Sequence, residues 1–568
     1  MRFLDFCQVM ERVDSTTKKN EKIIIVASFL AELSLEELPL ACYYAAAQVF
    51  SKKSQLKVQF GWSSFMAVIR QLTTRSDKEL QSFYRRKADF GSLIEWALLK
   101  PKPRPKSLST FFEGETEPDP PSIGEINTFF EKIASLTGKG SLRKKKEELL
   151  QLLTTLSPLE AKYIARIITS DTRTGFQEGL LLEAIAIAFK RRKEHVRYAY
   201  MVLSDLGELA LVSKNPSLNL TSIVPKLFHP LKSMLATKTD SIEDALDTFS
   251  PLVCESKIDG FRAQLHINLQ LCKIYSRNLE DVTEAFPEIT GSITPAQKKQ
   301  IAPCILDGEI VGLVENKPVF FQDISTRILR KTDVASSVLK LPCYFFVFDV
   351  LLFRGESLLR MELQERKGVL STLPTSKHVQ IISSETVEDL VEIQDRFREA
   401  IKDGYEGLML KDPTSLYLAG RRGKSWLKLK ATLPTLDLVI VGAEWGHGRR
   451  TGWLSNYHLA AKENDGFQMI GKTFKGLTDS EFDWLTEKLK SLKITDESYG
   501  VRVQPQVVVE VEFDNIQQSL KYPSGMALRF ARIKKIRTDK SIEDVDSIET
   551  VQQLYQGQLQ RQKHINKS

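Results

Sequence analysis

The apolar pattern of this chain changes character near residue 220, and that change limits the possible folds more than any other property. Before it, apolar residues recur at three-and-four spacing, as over 23–33, 38–49 and 65–72, which predicts helices. Further helices are expected over 147–156, 158–169 and 180–189. From about Pro225 the texture shifts to short runs rich in Val, Ile, Phe and Tyr, interleaved with helical stretches such as 386–400. After Pro434 come alternating strands at 436–443, 458–462, 506–513 and 529–536, with glycine-rich turns and one helix at 480–492. Helix alone, then mixed, then mostly strand cannot share one layer architecture, so separate cores in series are expected. At 568 residues there is room for roughly three or four domains of ~100–200 residues each. The boundaries fall at 1–220 (all-α), 221–433 (α+β) and 434–568 (a small β-barrel).

Composition removes several functional classes. The six cysteines form no CxxC pair and the seven histidines no ligand cluster, which argues against a zinc site and a disulfide framework. The N-terminus lacks the charged and apolar regions of a signal peptide, and the apolar runs are too short to span a bilayer. A cytoplasmic protein with no membrane partner is the expectation. Lys and Arg number 80 against 72 Asp and Glu, a net charge of +8, compatible with a polyanionic partner without requiring one.

Within the mixed region one stretch carries chemistry: Cys254-Glu255-Ser256-Lys257-Ile258-Asp259-Gly260-Phe261-Arg262. It reads as a strand, a turn at Asp-Gly and a second strand, with Glu255 and Lys257 on one face because side chains alternate with period two. By itself this also describes an ordinary surface hairpin. The segments that follow narrow the reading. They are Tyr275-Ser276-Arg277-Asn278, Ile305-Leu306-Asp307-Gly308-Glu309-Ile310-Val311, and Tyr344-Phe345-Phe346-Val347-Phe348-Asp349. Then come Glu406-Gly407-Leu408-Met409-Leu410-Lys411 and Arg422-Gly423-Lys424-Ser425-Trp426-Leu427-Lys428-Leu429-Lys430.

In this order and spacing, over about 175 residues, they resemble the motifs of the covalent nucleotidyltransferases, the polynucleotide ligases and mRNA capping enzymes. The last part, 509–519, Tyr522 to Ile533 and Ile536-Arg537-Thr538-Asp539-Lys540, resembles the end of ATP-dependent DNA ligases of the archaeal and eukaryotic replicative type. Upstream, Gly140-Ser141, Arg166 and Arg173-Thr174-Gly175 are similar to the helical DNA-binding domain of those ligases. Ala531 departs from the pattern, standing where that family usually has proline.

The resemblance implies a DNA-binding domain, an adenylation domain and an OB-fold barrel, in that order. It implies nick sealing, 3′-hydroxyl to 5′-phosphate, in DNA replication, repair and recombination, with ATP and Mg2+ as cofactors and nicked duplex DNA as partner of a monomer. It makes Lys257 the nucleophile that takes AMP. A free lysine has a pKa near ~10.4, so neighbouring cations such as Arg262, Arg277 and Lys428 would favour its neutral form. Glu309 and Glu406 would be the hard oxygen ligands of Mg2+. Phe348 would stack on adenine, Glu255 would accept from its exocyclic amine, and Arg422 and Lys428 would hold ribose or phosphate, while Trp426 reads as core. Arg537, Asp539 and Lys540 would orient pyrophosphate. Lys144, Lys145, Arg166 and Arg173 would touch the DNA backbone; the rival for the basic run is a solvated helix end. Between two proline clusters, Leu108, Phe111 and Phe112 resemble a sliding-clamp docking peptide, with Pro105 at the position often held by glutamine. The rival there is phenylalanines folded back on the helical domain. An RNA ligase or guanylyltransferase, and a silent DNA-binding scaffold, stand as alternatives; the long helical front part and the intact Lys257, Glu309, Glu406 and Lys428 argue against them.

Overall fold

A computed structural model describes the chain except for residues 55, 88, 103–118, 315–316, 319–323, 325–326, 329–333, 419–421, 432–434, 447–449, 465, 498 and 565–568. The clamp-like Leu108, Phe111 and Phe112 therefore lie outside the described residues.

The described elements of the first part, from Phe3–Asp14 to Leu206–Lys214, are α-helices around one apolar core. Local chemistry sets several of its helix starts. At Ile123–Ser135 the Ser122 hydroxyl accepts from the Glu125 N–H while the Glu125 carboxylate accepts from the Ser122 N–H, and Ser157 with Glu160 repeats this ahead of Pro158–Ile168. From Glu160 to Ile168 every residue of that second helix is buried, so it runs through the middle of the region. Lys162 and Arg166 are carried inside with it and are matched there: Lys162 meets Glu11 at 2.8 Å, and Arg166 meets Asp89 at 2.8 Å and Asp14 at 3.3 Å.

The central part holds two sheets. One runs in the order Leu235–Lys238, Arg422–Lys430, Gly407–Lys411, Leu252–Lys257, Ser384–Val387. The other is built on Phe261–Ile267, Cys304–Val314 and Cys343–Phe353, paired antiparallel in that sequence. The Asp-Gly turn therefore joins two sheets and closes no hairpin: Leu252–Lys257 pairs with Gly407–Lys411, and Phe261–Ile267 pairs with Cys304–Val314. Gly260 is needed at this crossing, because a Cβ there would lie 2.5 Å from the Ile310 carbonyl and 2.7 Å from Cγ of Glu309. The helix expected at 386–400 begins later, at Leu390, where the Asp389 side chain accepts from the Glu392 N–H. The residues before it, Ser384–Val387, pair with the Lys257 strand instead.

The C-terminal part is an OB-type strand assembly around Leu436–Trp445, which pairs along one side with Leu454–Glu463 and on the other with Gly500–Val503 and Val508–Glu512. Its helix, Asp479–Ser491, matches the expected one; a second helix, Ile548–His564, was not anticipated and packs Val551 into the barrel core.

Candidate active site

A cavity of about 310 Å3 opens where the two central sheets face each other, and Lys257 stands at the crossing between them. This is the low end of the ~300–1,000 Å3 usual for small-molecule sites. Glu255, Lys257, Asp259, Arg262, Arg277, Glu309, Phe348, Glu406 and Lys428 all line it, gathered from six places in the sequence into one wall-and-floor arrangement.

Lys257 ends its strand with the ammonium paired to Glu406, whose backbone N–H donates to the Lys257 carbonyl at 2.9 Å. Glu406 also meets Lys430 at 3.1 Å, and Lys430 meets Asp514 of the barrel at 3.2 Å. Burial alone would raise the Glu406 carboxyl; the two lysines outweigh it and hold the pKa below the ordinary value. Glu309 is the opposite case. Burial pushes its carboxyl up to about 8, against the pull of Lys257 and Arg262, with Asp259 and Asp307 adding repulsion. No ion pair or hydrogen bond reaches the Glu309 carboxylate from the described residues. Asp259 is likewise pushed up to about 6, first by burial and then by Glu406.

Arg262 is fixed by structure: it meets Asp307 at 2.7 Å and donates to the Met234 carbonyl at 2.6 Å, while Tyr417 donates to the same Asp307 carboxylate at 2.6 Å. Its guanidinium lies 5.1 Å from the Phe348 ring centre, so it contributes charge along the cavity wall. Phe348 itself is 8% exposed and stands edge-on to Trp426, the rings 6.1 Å apart at 82°. Trp426 is 1% exposed and belongs to the core, as expected. Glu255 is buried and already matched, at 2.6 Å by Lys411 and also by Lys367. Lys411 sits 4.7 Å from the centre of the Phe348 ring, and burial lowers its pKa to about 8 despite Glu255. The backbone of Arg422 faces Leu235 across the sheet; its side chain is outside the described residues.

Other expectations fall apart from this cavity. Lys145 is 6% exposed, one helical stripe with Leu149 and Leu153, and Arg166 is 3% exposed and committed to Asp89 and Asp14. The Arg166 guanidinium is enclosed and spent on those carboxylates, so it is withdrawn as a DNA contact, and most of Lys145 packs against the helical core. Lys144 is exposed on Ser141–Thr155. Arg173 lies in the loop after Pro158–Ile168, with φ of +59° and a 2.6 Å contact to Asp171. Arg537, Asp539 and Lys540 do not line the cavity; the barrel meets it through Asp514, Asn515, Arg529 and Phe530.

Sequence reasoning assigned no role to Lys367, Lys411, Lys430, Asp307, Tyr417 or Asp514. Two of these had a signal: Asp307 shares a strand face with Glu309, and Lys430 with Lys428, by period two.

Three family models match the chain in series: the DNA ligase N terminus at residues 2–186, the ATP dependent DNA ligase domain at 233–430, and the ATP dependent DNA ligase C terminal region at 450–540. DNA ligase 2 of Methanosarcina acetivorans is 36% identical over 569 residues, covering 98% of this chain and 99% of the relative. The DNA ligase of Archaeoglobus fulgidus is 35% identical, covering 98% of each. A solved structure described as "Pmar-Lig_PreS3" covers 94% of this chain and 99% of its own, with a TM-score of 0.59 at 18% identity, a likeness of fold. With relatives above 30% identity along nearly its whole length, the chain belongs to the ATP-dependent DNA ligases.

Proposed function

We propose that this ligase seals nicks in duplex DNA through a covalent lysyl-AMP on Lys257, acting as a monomer in replication, repair and recombination. The observation that carries the proposal is the amine of Lys257 at the mouth of the intersheet cavity, paired with Glu406 and lying across from the Phe348 ring wall. In the first step Nζ attacks the α-phosphorus of ATP, the phosphoramidate bond forms, and the bond to pyrophosphate breaks. The 5′-phosphate of the nick then takes AMP from Lys257, and the 3′-hydroxyl displaces it.

The residues divide this work. Lys257 must shed its proton and leave Glu406 before it can attack. Lys430, Lys428 and Arg262 surround the place where phosphate charge gathers and offset it. Phe348 offers a flat apolar face for the base, and Lys411 and Lys367 keep the Glu255 carboxylate ionised as an acceptor at the inner end of the cavity. Among the described residues no three His, Cys, Asp or Glu cluster as a protein-only metal cage. That suits Mg2+, which binds through one or two carboxylates plus substrate phosphates, and the unmatched Glu309 carboxylate fits the part. Glu309 and Glu406 would hold Mg2+, which would supply charge neutralisation on the reacting phosphates.

The test is retention of label after denaturation. Wild-type protein given α-labelled ATP should keep the label, protein given α-labelled GTP should not, and Lys257→Ala should keep neither. Label retained by Lys257→Ala, or taken from GTP alone, would overturn the assignment.

A further inference from the structure

The cations at the end of the chain are held in place by a residue outside their own segment. Arg537 gives Nε and Nη2 to Asp539 at 2.9 and 2.7 Å and Nη1 to one oxygen of Asp437 at 3.2 Å. Lys540 reaches the other oxygen of Asp437 at 2.5 Å. One carboxylate thus spans both cations. Asp437 is anchored in turn: its N–H donates to the Asp546 carboxylate at 2.8 Å, and its carbonyl accepts from the Asp546 N–H at 2.9 Å. It lies near the start of Leu436–Trp445, the strand that follows the adenylation domain.

We propose that Asp437 is a positioning residue for the leaving pyrophosphate, fixing Arg537 and Lys540 side by side before the nucleotide arrives. This rests on the reading that Arg537, Asp539 and Lys540 orient pyrophosphate. Arg and Lys are long and flexible, and ordering them in advance removes that cost from the binding step. Each keeps further N–H donors for phosphate oxygens after Asp437 has taken its share. Net charge cannot be the source of binding here, since the two cations are matched by Asp437 and Asp539, with Glu510 a further 3.8 Å neighbour of Arg537. The two accounts therefore predict opposite signs for one substitution. If charge alone mattered, removing the Asp437 carboxylate would strengthen phosphate binding; if placement matters, it weakens it.

The experiment uses the full-length protein with Asp437→Asn, Asp437→Glu and Arg537→Ala. Three rates are read: self-adenylation from ATP, its reversal on added pyrophosphate, in which the adenylate leaves Lys257 as ATP, and sealing of a nick already carrying AMP. Asp437→Asn should slow adenylation about tenfold, the loss expected for one charge-assisted hydrogen bond, and raise the half-maximal pyrophosphate concentration similarly. Sealing should lose far less, and Asp437→Glu should recover part of the adenylation rate. Faster adenylation in Asp437→Asn, or an equal loss in all three rates, would overturn the inference. If Arg537→Ala leaves adenylation and its reversal untouched, the underlying reading falls; if Arg537→Ala is impaired and Asp437→Asn is not, only the role of Asp437 falls.

Discussion

The intersheet cavity and the helical front region were both read from basic residues, yet they treat those residues differently. Around the cavity, Lys257, Arg262 and the pair Lys428 and Lys430 come from three strands and line one space, where their charge is offset by Glu406, Asp307 and Asp514. In the helical region two of the four candidate DNA contacts, Lys145 and Arg166, are inside. A cation in an ordered set of separated motifs is therefore informative about chemistry, because packing alone rarely needs such a set. A cation in a basic run is informative only once its helical phase is known.

The sharpest way to break this contrast is Lys257→Arg. Arginine keeps the positive charge and the contact to Glu406 but stays protonated, with a pKa above ~12, so it cannot attack phosphorus. Self-adenylation should fall below detection, with sealing of an already adenylated nick retained in part. Adenylation that survives in Lys257→Arg would place the nucleophile elsewhere.

Next in size is Arg166→Met, which removes a buried cation from between Asp89 and Asp14. An unmatched buried carboxylate costs ~3–5 kcal/mol, so the helical region should melt earlier by a margin easily seen in thermal unfolding. Adenylation by Lys257 should persist below that transition. A neutral effect on melting would return Arg166 to the list of surface cations.

Lys144→Ala should be the reverse: no change in melting, but weaker nick binding. The slope of log affinity against log salt should become shallower by about 0.9, the contribution of one phosphate contact on duplex DNA. An unchanged slope would leave the exposed part of the basic run as a solvated helix end.

What the sequence disclosed follows the same division. That Lys257, Glu309, Phe348 and Glu406 line one cavity was legible because they stand in separated motifs whose order resembles that of a known chemistry. The grip of Asp307 on Arg262 was not, since the partner sits 45 residues away on a neighbouring strand. Lys145 was legible in principle: with Leu149 and Leu153 it keeps the spacing of a buried stripe, but the run of adjacent charges hid the phase. The burial of Arg166 depends on a helix surrounded on all sides, which no local pattern announces. The strand before Asp389 was absorbed into a helix because Thr and Val fit either period over four residues, and only pairing with Leu252–Lys257 decides.

The smallest predicted effect separates the two environments by pH. Burial alone would raise the Asp89 carboxyl; the hydrogen bond and charge of Arg166 outweigh it and hold the pKa below the ordinary value. A carboxyl depressed in the folded state contributes stability above its unfolded pKa, near ~3.9, and loses it as pH falls through the folded value. The wild-type helical region should therefore weaken only in strong acid, at pH below about 4. In Arg166→Met the compensating cation is gone and burial is left to act, so the folded pKa should move above the unfolded one and the sign should invert. Stability would then fall as pH rises from about 4 toward neutrality, where the wild type is flat. Denaturant unfolding of both proteins across pH 4 to 7 reads this directly, and parallel curves would mean that Asp89 is matched by something other than Arg166.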